Sequence, residues 1–261
     1  MIDLSITKKS SLFLVVLFWA GCAHAPCQKD LVFQNAPIQA LLAGCYSGTM
    51  SIHDLKKHGD FGFGTLDSLD GEMIVLDHAF YQIQSDGKAR LLADKDTSPF
   101  ATVLFFKSGQ ALAPKGTMNL KGMTAYIDSK LPSENLIYAI KVEGRFPLLK
   151  VRSVARQKKP FPVLTEAIKE QKIFELKDQE GTLVGFRFPP YATGINVSGY
   201  HFHFLSKDKT LGGHVLDLQV EGPCIQIDKS HRFSMELPET EEFLKFRFAA
   251  DAKEAIQKVE K

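Results

Sequence analysis

Three of the chain's eight histidines crowd one short stretch: "HFH" puts His201 and His203 one residue apart, and His214 follows in "LGGHVLDL". On a strand, alternate side chains share a face, so the His201 and His203 imidazoles stand about 6–7 Å apart and can bite one ion. "SKDKTLGG" between them and His214 is rich in turn residues. Gly212-Gly213 lets the chain come back, which brings His214 to cross-strand distance on an antiparallel neighbour. Three neutral imidazole nitrogens with an open fourth position are the ligand set of a catalytic zinc, whereas structural zinc takes closed sets of four. Ligand type favours zinc; copper, nickel, iron and manganese accept the same donors. Phe202 and Phe204 alternate with the histidines, so the other face of this strand is expected in apolar core.

A cupin, which also uses an HxH strand, normally places a glutamate ligand four or five residues after the second histidine. Lys207 and Asp208 stand there instead, which lowers that reading. A second stretch, "HGDFGFGTLDSLDGEM", carries Gly59, Gly62, Gly64 and Gly71, a density that requires tight turns or close backbone approach. No lysine follows as a phosphate loop needs, and the spacing misses the dinucleotide fingerprint, so a nucleotide site is excluded here.

These residues need elements to hold them. "APIQALLAG" and "SIHDLKKHG" read as short helices, the second capped by Ser51 and ended at Gly59. "GEMIVLD", "HAFYQIQ" and "ARLLA", with the "SDGK" turn, form a meander of strands, and "FATVLFFK" adds a fully buried one. Leu120, Met123, Ile127 and Leu131 recur at helical spacing over about 117–130. "LIYAIKVEGRFPLLKVRSV" is expected as a hairpin turning at Glu143-Gly144, and "KIFELKDQEGTLVGFRF" as another turning around 178–181. "FPVLTEAIKEQ" has helix character, "CIQID" and "RFSMELP" read as two further strands, and "DAKEAIQKVEK" is a charged helix. The expected class is α+β: two β-rich lobes packed as one unit, at 28–159 and 160–261, with a few segregated helices.

A composition of 44% hydrophobic and 24% charged residues is that of a globular chain with a sizeable core. The first 22 residues differ: Lys8 and Lys9 precede "SLFLVVLFWAGC", an apolar run too short for a membrane span, which needs on the order of 20 residues. This is the pattern of an export signal. "WAGC" resembles the bacterial lipoprotein box, with Cys22 as the lipidated residue and Trp19 where leucine is usual; cleavage after Ala25 is the alternative. The expected location is periplasmic, or membrane-anchored through Cys22. Taking Lys8, Lys9 and Asp3 from 32 basic and 30 acidic residues leaves a net charge near +1, which gives no electrostatic reason to expect nucleic acid. Cys45 and Cys224 are far apart and form no metal-ligand pair; two buried free thiols are expected in preference to a disulfide.

"HGDFGFGTLDSLDGEM" and "GYHFHFLSKDKTLGGHVLDL", together with "VRSVARQKKPFP", resemble the corresponding segments of the bacterial acetolactate decarboxylase family, in the family order and from about residue 31 onward. The resemblance implies zinc on His201, His203 and His214. It also implies Glu72 and Thr65 in the site, Arg152 reaching in from "KVRSV", and a tail glutamate, Glu260 or else Glu254. Arg145 and Arg156 are nearby alternatives to Arg152. The implied fold is a mixed N-terminal sheet packed on an antiparallel, barrel-like C-terminal lobe, commonly dimeric. The implied reaction is conversion of (S)-2-acetolactate to (R)-acetoin and carbon dioxide, with zinc as Lewis acid, Arg152 holding the carboxylate, and Glu72 or Glu260 moving protons. An exported zinc hydrolase and a non-catalytic metal-binding lipoprotein are the rival readings. A metal store has no use for a buried carboxylate and guanidinium aimed at the ion.

Overall fold

The structure, a computed structural model, describes residues 30–248 and 253–260. The signal expected at 1–22 and its Cys22 lie outside the described residues. In chain order the elements are β1 (Leu31–Asn35), α1 (Ile38–Leu42), β2 (Met50–Ser51), α2 (Ile52–Leu55), β3 (Phe61–Thr65), β4 (Glu72–Leu76), β5 (Ala79–Ile83), β6 (Ala89–Leu91), β7 (Thr97–Ser98) and β8 (Phe100–Leu104). There follow β9 (Gln110–Leu112), β10 (Thr117–Asn119), α3 (Leu120–Asp128), β11 (Ile137–Ser153), α4 (Leu164–Ala167), β12 (Lys172–Phe188), β13 (Gly199–Ser206), β14 (Gly212–Ser230), β15 (Arg232–Glu236), α5 (Glu241–Lys245) and α6 (Lys253–Val259).

Among the described residues the protein is mostly β. A seven-stranded sheet runs β15-β1-β8-β3-β4-β5-β6, a second runs β10-β14-β11-β12-β13 with β9 added on β14, and β2 pairs with β7. The first sheet is mixed, as expected, because β1 and β15 lie parallel while β1 and β8 are antiparallel. The second closes on itself, since β13 also pairs with β14. Helices are short, α3 being the longest of those described at nine residues.

Period-two alternation explains how the layers stack. On β4, Ile74 and Leu76 enter the core between the two sheets, whereas Met73 and Val75 face the other way, onto Ile52 and Leu55 of α2. The inter-sheet core takes Phe61 and Phe63 from β3 and Val184, Phe186 and Phe188 from β12, and α4 and α6 add Leu164, Ile256 and Val259. Each such side chain contributes roughly 1.5–3 kcal/mol by leaving water, so the sheets are one cooperative unit. A further core of Met123, Ile127, Phe146, Phe202 and Phe204 fills the second sheet beneath α3.

The two expected hairpins are instead single long strands. β11 and β12 each run for 17 residues and lie antiparallel to one another, with Gly144 opposite Gly181. Glu143-Gly144 therefore marks no turn: the β11–β14 register shifts between Glu143 and Arg145 and again before Leu148, so the glycine serves a bulged, bent strand. "CIQID" is likewise part of β14 and no separate strand. These long strands also move the division between sheets. It falls between β8 and β9, well before residue 160, and β15 crosses back to the first sheet. Cys45 is buried and Cys224 exposed, both free. Cys224 occupies an outward position beside inward Ile225, which corrects the expectation of two buried thiols.

Candidate active site

The histidines stand where the second sheet meets the β3–β4 hairpin of the first. His203 on β13 lies opposite His214 on β14, and His214 lies opposite Arg152 on β11, so three functional side chains form one cross-strand row. On the hairpin, Thr65 ends β3 directly opposite Glu72, which begins β4. Gly71, at φ 81°, makes the tight return between them, and its carbonyl accepts a 2.6 Å hydrogen bond from the Thr65 hydroxyl. The strand bearing the histidines is seated by Gly185 on β12: a Cβ there would come within 2.2 Å of the Phe202 ring and 2.5 Å of the His201 carbonyl oxygen.

His201 Nε2 lies 3.2 Å from His203 Nε2 and 3.0 Å from His214 Nδ1, so one nitrogen from each ring faces a common point. His203 Nδ1 is 2.9 Å from the Met73 carbonyl oxygen and donates to it, which leaves Nε2 a bare lone pair. All three rings are buried, and burial pushes their pKa values down, that of His203 to about 3 and those of His201 and His214 well below the ordinary range. Neutral imidazoles with lone pairs turned inward are metal donors. A tetrahedral ion with metal–nitrogen bonds of about 2.0–2.1 Å sets its ligand nitrogens roughly 3.3–3.4 Å apart, close to the spacing here. The three histidines thus form a group that could hold a metal ion. Phe63 packs on His201 and His203 with centroids 4.1 and 5.0 Å away and fixes the ring planes.

Around this point stand two carboxylates and one guanidinium. Arg152 Nη1 donates to Glu72 Oε1 at 2.9 Å, and Glu72 Oε2 is 3.6 Å from His203 Nε2. Arg152 Nη2 donates to the Val259 carbonyl of α6 at 2.9 Å, while its Nε–H is buried without a partner in the protein. Glu260, just beyond α6, places Oε2 3.7 Å from both His201 Nδ1 and His214 Nε2. Burial pushes Glu260 up to about 7, with Glu72 adding and Arg152 opposing; burial also raises Glu72 against the pull of Arg152.

Every residue named from sequence as a first choice for the site therefore borders one cavity of about 40 Å³: Thr65, Glu72, Arg152, the histidines and Glu260. The second choices stand elsewhere. Glu254 is exposed on α6, Arg145 pairs with Asp178 and Glu221 on the surface, and Arg156 reaches Asp67 and Asp70 outside the cavity. Sequence reasoning missed the apolar wall, which takes Leu69 from the hairpin turn, Ile38 and Leu41 from α1, Phe100 from β8 and Leu164 from α4. It also missed Phe63, whose signal was the alternation "FGFGT": one face of β3 bears large rings and the other almost nothing.

The sequence matches the family model described as alpha-acetolactate decarboxylase over residues 32–250. Alpha-acetolactate decarboxylase of Methanosarcina mazei is 45% identical over 233 residues, covering 89% of this chain and 81% of that one. The enzyme of the same name from Methylococcus capsulatus is 45% identical over 229 residues, 88% of each chain. Among solved structures, alpha-acetolactate decarboxylase from Bacillus subtilis strain 168 superposes with a TM-score of 0.86 at 37% identity, over 88% of this chain and 99% of that one.

Proposed function

Because the chain belongs to the alpha-acetolactate decarboxylase family, we infer that the cavity carries out the reaction of that name, loss of carbon dioxide from 2-acetolactate to give acetoin. The observation that carries the reading is the meeting of three neutral imidazoles, two carboxylates and one guanidinium at a single buried point. His201, His203 and His214 would hold a zinc ion, which when bound stabilises negative charge on oxygen as a Lewis acid.

The chain's own groups do the rest. Arg152 has an unpartnered Nε–H and a positive charge for the substrate carboxylate, and holding that group orients the bond that breaks. As carbon dioxide departs, its bonding electron pair moves toward the neighbouring ketone and an enediolate is left. A proton must then reach one face of the hydroxyl-bearing carbon from which the carbon dioxide departed. Glu260, held at about 7, lies beside His201 and His214, and Glu72 lies beside His203, so delivery from one of them to one face sets the configuration of (R)-acetoin made from the (S)-substrate. The apolar walls exclude water and receive the methyl groups.

The hydrolase and metal-capture readings gain no support from these relatives, and a metal store leaves the Arg152–Glu72 pair without a purpose. We read the closed pairing of β11–β14 as the barrel-like lobe implied by the resemblance, and a homodimer as the assembly, which light scattering on the purified protein tests. Residues 1–22 are read as an export signal with lipidation at Cys22; cell fractionation and the mass of the mature N-terminus decide that.

The test of function is acetoin formation from racemic acetolactate, before and after chelation and with zinc restored. Acetoin above the spontaneous rate that tracks zinc supports the reading. Zinc held without acetoin formed overturns it.

A further inference from the structure

We propose that Arg156 is a positioning residue for the decarboxylase reaction: from outside the cavity it clamps the 66–71 turn and thereby fixes where Leu69 and Glu72 meet the substrate. The inference rests on the function proposed above and goes beyond it, because Arg156 touches none of the reacting groups.

Five residues that line the cavity come from the one hairpin: Phe63, Gly64 and Thr65 before the turn, Leu69 within it and Glu72 after it. The turn is unfavourable on its own terms. Ser68 and Leu69 both lie in the left-handed region, at φ 63° and 56°, where a side chain crowds the backbone and a leucine is rarely found. A conformation of this kind persists only where its surroundings impose it.

Arg156, on the outer side, imposes it together with two backbone hydrogen bonds. Arg156 Nη2 donates to Asp67 Oδ2 at 2.8 Å and to Ser68 Oγ at 3.3 Å, and Nη1 lies 3.5 Å from Asp70 Oδ2. The guanidinium thus spans both ends of the turn, holding the acid before the left-handed pair and the acid after it. The Gln157 N–H donates to the Ser68 carbonyl at 2.8 Å, and the Ser68 N–H to the Tyr46 carbonyl at 2.7 Å. Arg152 and Arg156 leave the end of β11 on one short segment. Arg152 grips the hairpin from within through Glu72, and Arg156 grips it from without. The hairpin is stapled at two points, and only the inner one faces the chemistry.

Exposed ion pairs are weak one by one, so removing Arg156 should loosen the turn without unfolding the protein. Leu69 is part of the apolar wall, so a looser turn enlarges the space beside the substrate's alkyl group. The experiment compares wild type, Arg156→Ala, Arg156→Gln and Arg156→Lys on 2-acetolactate and on the homologue carrying ethyl in place of the 2-methyl group, with zinc content, melting temperature and amide exchange of residues 66–71 measured in parallel.

Expected for Arg156→Ala are about a tenfold fall in kcat/KM on acetolactate, a methyl-over-ethyl preference reduced at least threefold, unchanged zinc and faster exchange in the turn. Arg156→Lys recovers part of each and Arg156→Gln less. Because both substrates carry the same charge, raising salt should weaken the preference in wild type and leave it unmoved in Arg156→Ala. An Arg156→Ala protein with wild-type preference and exchange overturns the proposal, as does one whose activity falls only in step with melting temperature while the preference is kept. If Arg156→Ala does not fold, the same criteria apply to Arg156→Gln. Wild type that makes no acetoin sinks the decarboxylase reading itself, and the exchange rates still decide whether Arg156 holds the turn.

Discussion

The Arg152 guanidinium and the Glu72 carboxylate, from different sheets, meet at 2.9 Å with only 7% and 10% of their side chains exposed. Each is the other's counter-charge in a place water does not reach. Glu72→Gln keeps the shape and a hydrogen-bond acceptor but strips the charge and the titratable proton. Metal content should stay at the wild-type level, while turnover falls by about 100-fold or more, the scale of a lost acid or base. Metal analysis and an acetoin assay on one preparation check this, and full activity removes Glu72 from the proton step.

His203 is 1% exposed, with one ring nitrogen spent on Met73 and the other facing its fellow histidines. His203→Ala should lose metal and activity together, and added zinc should not restore either at micromolar concentration. A variant that retains one equivalent of zinc with wild-type turnover contradicts the ligand assignment.

The two tail glutamates differ sharply in placement. Glu260 stands 3.7 Å from two of the imidazoles, whereas Glu254 is exposed on α6. Glu260→Gln should lower kcat at least tenfold and Glu254→Gln should leave kinetics as in wild type. Steady-state rates for the pair settle the assignment, and the reverse pattern refutes it.

Away from the site, Asp228 is 5% exposed, and burial, with the charges of Asp30 and Asp60 adding, raises its carboxyl to about 6 despite a hydrogen bond from the Lys107 N–H. The native state therefore holds this proton up to about pH 6, while an unfolded aspartate gives it up near 3.9. Between those values the folded chain binds more protons, so this group's contribution to stability falls as pH rises. The melting temperature of Asp228→Asn minus that of wild type should grow from pH 4 to pH 6.5 and then level off. A difference that is flat over this range, by calorimetry, denies the shift.

Much of the site was legible because its chemistry is local. His201 and His203 alternate on one strand, His214 returns after a glycine turn, and Ser51 caps α2 by accepting from the Asp54 N–H. Long strands were not legible. Glu143-Gly144 and the stretch around Asp178 carry turn residues, yet β11 runs through the first as a bulge against β14, and β12 runs past the second in unbroken register with β11, an outcome set by neighbours distant in sequence. For the same reason the wall residues Leu69, Ile38 and Leu164 could be read as apolar but not as facing one cavity. Where Glu260 sits was not legible either, because it depends on the packing of Ile256 and Val259, which turns one face of α6 inward.

β1 lies between β8 and β15, and its partner β15 is made almost at the end of synthesis. Until residue 236 has emerged, the nascent chain has β1 as a bare edge, with unpaired backbone groups along Leu31–Asn35. Pairings so remote in sequence close late and slowly. A chain ended between residues 230 and 232 would thus keep β1 to β14 and most of its core but leave an open sheet margin, ready to recruit a strand from another molecule. Premature stop codons there should yield inclusion bodies in place of soluble, merely inactive protein.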